Sequence, residues 1–271
     1  MINIIHDIII MVTFMIMKDG YLDEKYKNLI HDNKKTNSEL YKLLYDFNKL
    51  LHKILYNFNG IEINNENNYI VPAFAKLVKL YQSCVILIEY GMTDISENIL
   101  RSIYDLKFQM LYVFEKENNY QRLLKSLFSK ELNILNNAEK YKLYDLITQE
   151  QIESYREKIK TNLQELEEIK CAPDTKTMCE ELRLQEEYIY YYFLCNETHQ
   201  SCDVIYSLNT SKGIDIQPKY DKVYEISLKL IASFEHILEK IINKYTPYLQ
   251  EEYRSMAERY KSFIETTEGN K

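Results

Sequence analysis

Residues 94–115 read DISENILRSIYDLKFQMLYVFE. Ile95, Ile99, Ile103, Leu106, Met110, Val113 and Phe114 recur at helical spacing and predict one broad apolar face. Asp94 suits an N-cap, and Glu97 three residues later completes a capping-box spacing. Glu97, Arg101 and Asp105 stand one helical turn apart on the opposite side, in company with Tyr104, Phe108 and Tyr112. Two readings of that polar group stay open. It is a solvated face, whose i,i+4 pairs add a few tenths of a kcal/mol each, or a polar group partly covered by its aromatic neighbours.

The flanking segments extend the helical pattern. On the N-terminal side, Pro72 fits a first helical turn, and Phe74, Leu77, Val78, Tyr81, Val85 and Ile88 carry the stripe to Gly91, an expected C-cap. The short joint at 91–93 makes this helix an antiparallel neighbour of the next. Before it, a cap region at Thr36–Ser38 opens a helix with Leu40, Leu43, Leu44, Phe47, Leu50, Leu51, Ile54, Leu55 and Phe58 on one stripe. Asn59-Gly60 ends that helix, and residues 61–69 read as a polar loop.

On the C-terminal side, Leu123, Leu124, Leu127, Phe128, Leu132 and Leu135 define a helix after Asn119. Thr148 caps the next one, whose narrow seam of Ile152, Tyr155, Ile159, Leu163, Leu166 and Ile169 sits among many charges. That pattern predicts a charged hairpin packed mainly on itself. CAPDTKT (171–177) is a loop. A helix then begins near Thr177 and runs, with or without a break, into EYIYYYFLCNETHQSCDVIY (187–206), apolar almost all round and expected in the core. A loop spans 207–221, and a strong repeat from Val223 to Ile242 predicts one helix over 220–244. Pro247 separates it from a last helix at 248–265, whose Leu249, Tyr253, Met256, Tyr260 and Phe263 pack back on the domain or form a dimer contact. The expected fold is all-α: an N-terminal tail (1–35), an antiparallel helical bundle with a charged hairpin (36–245), and a C-terminal accessory helix (246–271).

Composition narrows the classes. Only 5 Gly and 4 Pro among 271 residues argue against an all-β chain, whose tight turns need them. A net charge of −7 disfavours duplex DNA and anionic membrane as partners. The run Ile8–Met17 is about half of the roughly 20 residues that span a bilayer. It also lacks a basic flank and a cleavage site, so it reads as a short docking element or as sequence upstream of a start at Met17. Five cysteines, an odd number without a secretion signal, indicate reduced thiols and a cytoplasmic protein.

Tyr188, Tyr192, Cys195, His199, Cys202 and Tyr206 fall on one helical stripe. Thiolate and imidazole suit zinc, with Cys171 or Cys179 as a fourth ligand, but there is no CxxC knuckle, so no metal is expected. Glu-x-x-His pairs, clustered glycines and an identifiable oxyanion hole are also lacking, so no cofactor is expected. One composite site remains: Arg101 as a phosphate ligand and His199 as general acid or base. Against it stands a buried structural network of Arg101, Asp105, Glu197 and His199.

ILRSIYDLKFQMLYVFE (99–115), after GMTDISEN (91–98), resembles the Arg-Ser-hydrophobic-aromatic-acidic helix of a bacterial helical family of unknown function. YYYFLCNETHQS (190–201) resembles that family's Tyr-rich helix, which has a small residue four before a His. Order and spacing agree over about residues 35–245, with Asp105 in place of Glu and Cys195 in place of Ser. The resemblance implies an all-α fold, no established activity, and a distant likeness to HEPN-type proteins of phage defence and toxin systems. By matching position it points to Arg101, Asp105 and His199. The expectation is a group that binds a ligand or cleaves RNA as a metal-independent ribonuclease. The alternative is a noncatalytic module that forms a homodimer or binds a partner protein through the hairpin or the C-terminal helix.

Overall fold

Helical stripes of this kind must pack against one another, and they do. The computed structural model describes residues 26–58, 61, 64, 66–145, 147–198, 209–210, 213–214 and 219–268. The chain is all-α. Its helices are α1 (Tyr26–Thr36), α2 (Ser38–Tyr56), α3 (Asn67–Glu89), α4 (Thr93–Glu115), α5 (Asn119–Lys140), α6 (Gln149–Glu165), α7 (Thr175–Leu182), α8 (Gln185–Thr198), α9 (Val223–Ala232), α10 (Glu235–Tyr245) and α11 (Gln250–Glu268). Among the described residues, extended pairing is confined to β1 (Asn209–Thr210) and β2 (Gly213–Ile214), antiparallel with Asn209 opposite Ile214.

The chain forms two compact units. The first takes in the described residues of Met1–Gly60, Phe74–Lys107 and Ile189–Lys271. Its core meets at three rings. Phe47 of α2 and Tyr81 of α3 each stand edge-on to Phe234, at 5.7 and 5.5 Å between centroids. Tyr81 donates its hydroxyl to the Leu44 carbonyl at 2.8 Å, so the buried phenol is satisfied. Leu44, Leu50, Leu51 and Ile54 are fully buried on the α2 stripe. Truncating any one of the three rings would cost about 3–5 kcal/mol. The C-terminal helix packs back on its own unit. Lys53 pairs with Glu252 at 2.7 Å and Asp46 with Arg259 at 3.1 Å, while Tyr253 and Tyr260 donate to the Glu235 and Leu228 carbonyls.

The second unit comprises Ile61–Ala73 and Phe108–Tyr188. Its main feature is the charged hairpin of α5 and α6. Leu135, Ala138, Ile152 and Ile159 form its buried seam, with Phe128, Leu132, Ile147 and Leu163 packed against it. Thr148 opens α6 with a complete capping box to Gln151. Arg156 pairs with Glu139 at 2.6 Å across the hairpin, and Lys125 donates to the Leu166 and Glu167 carbonyls beyond the end of α6. The Leu166 carbonyl also accepts the Ile169 N–H at 3.0 Å, and a cation beside the last carbonyls of a helix is favourable.

Several sequence expectations need correction. Pro72 lies inside α3 rather than in its first turn. The helix starts at Asn67 because the Asn64 side chain accepts the Asn67 N–H at 2.8 Å. The capping box at Asp94 does not form: its carboxylate accepts from the adjacent Ile95 N–H, and α4 begins at Thr93. The buried stripe of α4 is rotated toward the aromatic side and includes Leu100, Ile103, Tyr104, Lys107, Phe108 and Leu111, whereas Ile95 is 48% exposed. Lys107 is buried with its Nζ 5.4 Å from the Tyr104 ring centroid. The segment from Thr177 is not one continuous helix: the break that its sequence left open falls where Arg183 takes a left-handed φ of 62°. Nor is its second half apolar-buried all round, since Ile189, Tyr192 and Phe193 are exposed. The repeat at 220–244 is likewise two helices, α9 and α10, broken where Ser233 turns its hydroxyl onto the Leu230 carbonyl at 2.7 Å. Helix α3 is long and apolar enough to cross a membrane, yet Phe74, Leu77, Tyr81, Cys84 and Ile88 are buried in the core. The run Ile8–Met17 lies outside the described residues.

Candidate functional site

Two pairs of side chains, each one helical turn apart, face each other on α4 and α8. Arg101 and Asp105 come from α4, and Tyr191 and Cys195 from α8. Arg101 Nε donates to Cys195 Sγ at 3.2 Å. The Arg101 guanidinium carbon sits 5.7 Å from the centroid of the Tyr191 ring. Tyr191 in turn donates its hydroxyl to Asp105 Oδ1 at 2.7 Å. Arg101 Nη2 lies 3.5 Å from Asp105 Oδ2, with the two side chains 26% and 29% exposed. Leu100 and Leu194, each next in sequence to a member of the group, are buried. Tyr104 meets Tyr190 edge-on at 5.6 Å, and Lys229 Nζ lies 4.8 Å from the Tyr190 ring centroid.

The electrostatics follow from these contacts. The hydrogen bond to Cys195 raises the Arg101 pKa, burial opposes it, and Asp105 adds to the rise, so the guanidinium stays charged. Burial pushes the Tyr191 phenol well up, and the Asp105 carboxylate at its hydroxyl adds to this. Tyr190 is raised mainly by burial too, then by Tyr104 and by the charges of Glu97 and Glu225. Both phenols therefore stay neutral, and Tyr191 donates to Asp105. The 3.5 Å contact to Asp105 is longer than the roughly 2.7–2.9 Å of a strong charge-assisted bond. Among the described residues Arg101 Nη1 has no partner. The guanidinium thus keeps donors for the oxygen atoms of a phosphate or carboxylate.

The structure brings Arg101 and Asp105 together and adds Cys195 and Tyr191. His199 and Cys202 lie outside the described residues, as does the Glu197 side chain. Tyr192, placed on the Cys195 stripe by spacing, is exposed instead. Tyr191 escaped sequence reasoning. Its signal was the four-residue step to Cys195, hidden among adjacent tyrosines. Among the described residues no group of three or more His, Cys, Asp or Glu side chains could hold a metal ion.

A family described as one of unknown function, DUF5677, matches residues 67–216, a span that contains Arg101, Asp105, Tyr191, Cys195 and His199. No curated protein and no solved structure matches the chain.

Proposed function

We propose, for a chain that belongs to DUF5677, a family of unknown function, that the Arg101 group is the working site of a cytoplasmic, HEPN-like bacterial protein that cleaves RNA without a metal in a defence or toxin system. The observation that carries this reading is the partly exposed Arg101 fork, fixed at Nε by Cys195 and left with spare donors at its outer edge. A phosphate oxygen is the natural acceptor for such a fork.

In such a reaction the ribose 2′-oxygen attacks the adjacent phosphorus and the 5′-oxygen leaves, giving a 2′,3′-cyclic phosphate. Arg101 neutralises charge that builds on the non-bridging oxygens. His199 follows Cys195 by four residues and supplies the proton transfer, since a histidine titrates near pH 6.5. Asp105 accepts the Tyr191 hydroxyl and so positions the ring beneath Arg101.

The test is incubation of the purified full chain with single-stranded RNA in a metal chelator, beside Arg101→Ala and His199→Ala. The expected result is cleavage with cyclic phosphate ends, slowed about 10²-fold or more by either substitution. RNA left intact by the wild type, or cut equally by both variants, would overturn the reading.

A second reading is a noncatalytic module that oligomerises or binds a partner protein. Ile189, Tyr192 and Phe193, exposed on one side of α8, favour it. Sedimentation of the wild type and Phe193→Asp decides this: a monomer at every concentration for both removes self-association.

A further inference from the structure

A pocket of about 70 Å³ opens beside the C-terminal helix within the first unit. Phe47, Ile231, Leu238 and Met256 make an apolar floor, and Glu235 of α10 and Lys261 of α11 stand on its exposed rim. We propose that this pocket binds a free α-amino acid with a short branched aliphatic side chain. The proposal does not depend on the Arg101 group.

Size selects the side chain. An apolar cavity of about 150 Å³ admits a benzene ring. A pocket of about 70 Å³ is less than half of that and takes an aliphatic group of a few carbons. Charge selects the head. Among the described residues neither the Glu235 carboxylate nor the Lys261 ammonium has an ion-pair or hydrogen-bond partner. They are opposite charges on the rim of one apolar hole, which matches an ammonium and a carboxylate on the carbon that bears the side chain. The tyrosines in the lining favour the same orientation. Tyr253 and Tyr260 donate their hydroxyls to the Glu235 and Leu228 carbonyls, which fixes the rings as walls. Burial, with the nearby Glu235 charge, pushes both phenols up to about 12, so they stay protonated and offer lone pairs to an ammonium.

The test is calorimetric titration of the full chain with L-leucine, L-phenylalanine, isopentylamine and 4-methylpentanoate. Leucine is expected to bind saturably, and the two single-charge analogues and phenylalanine more weakly. Glu235→Gln and Lys261→Met, both at exposed positions, should each weaken leucine about fivefold, the effect of one partly solvated charge partner. Glu235→Gln should leave 4-methylpentanoate unchanged, and Lys261→Met should leave isopentylamine unchanged. Ala257→Phe, which fills the pocket, should abolish leucine binding. No saturable leucine binding at millimolar concentration overturns the proposal. So does leucine binding undiminished in both charge variants, or phenylalanine binding as tight as leucine.

Discussion

Arg101 donates its Nε–H to the sulfur of Cys195, 94 positions away in sequence, at 3.2 Å. A thiol is a weak acceptor, so it orients the guanidinium without neutralising it as a second carboxylate would. Among the described residues, Asp105 is the carboxylate in direct contact with that guanidinium, at 3.5 Å. The outcome is an arginine that is held in place and still carries charge toward solvent.

Tyr191 links the two halves of this group, and its ring and its hydroxyl can be separated. Tyr191→Phe removes the donor to Asp105 and keeps the ring under Arg101. The expected loss is about 1.5–3 kcal/mol, the net worth of a hydrogen bond to a charged group. Tyr191→Ala also removes a ring that is only 8% exposed and should cost about 3–5 kcal/mol. Urea denaturation of the two variants measures both. Equal losses would mean that the ring contributes nothing.

The described cysteines should react in order of exposure. Cys171 is exposed, Cys195 is intermediate, and Cys84 and Cys179 are buried. Burial also pushes the Cys84 thiol up to about 12, so it carries no thiolate near neutrality. Iodoacetamide labelling followed by peptide mass mapping should modify Cys171 first, then Cys195, and reach Cys84 and Cys179 only after denaturation. Early labelling of Cys84 in the native protein would contradict the packing of α3.

What was legible in the sequence was what local chemistry decides. The cap at Thr148, the hairpin seam of Ile152 and Ile159, and Pro247 before α11 all concern residues within a turn or two of each other. The start of α3 was misread because the Asn64 side chain, not Pro72, opens the helix. The α4 face was misread because tertiary packing places Lys107 against Tyr104 and leaves Ile95 exposed. At the site, Arg101 and Asp105 are neighbours by helical periodicity alone. Their partners on α8 are set by how two helices meet, and hydropathy does not distinguish Tyr191 from Tyr190 or Tyr192.

Gly91 is the clearest case of a residue dictated by backbone geometry. It has φ of 67°, the left-handed region that a Cβ disfavours. The Met92 N–H reaches the Leu87 carbonyl at 2.9 Å and the Gly91 N–H reaches Ile88 at 3.0 Å, which closes α3 in a Schellman motif. The Gly91 carbonyl also accepts from the Lys219 N–H at 2.8 Å. Gly91→Ala should therefore destabilise by about 1–2 kcal/mol, measured as a drop in thermal midpoint. A neutral effect would mean that the turn relaxes out of this conformation.

The contact between α2 and α11 should weaken in acid. Asp46 has its pKa lowered by hydrogen bonding to Lys49, against an opposing effect of burial, and further by Arg259. A carboxylate depressed in the folded state contributes stability that is fully present above its unfolded pKa, about 3.9, and is lost as pH falls through the folded value. The loss therefore falls below about pH 4. The pair with Arg259 is partly exposed, so its contribution is under about 1 kcal/mol and is screened in concentrated salt. Denaturant midpoints of wild type and Asp46→Asn should differ at neutral pH, converge in acid, and differ less in about 1 M salt. A difference that persists unchanged into acid would show that Asp46 acts through packing rather than charge, and Arg259→Met would then be silent at every pH.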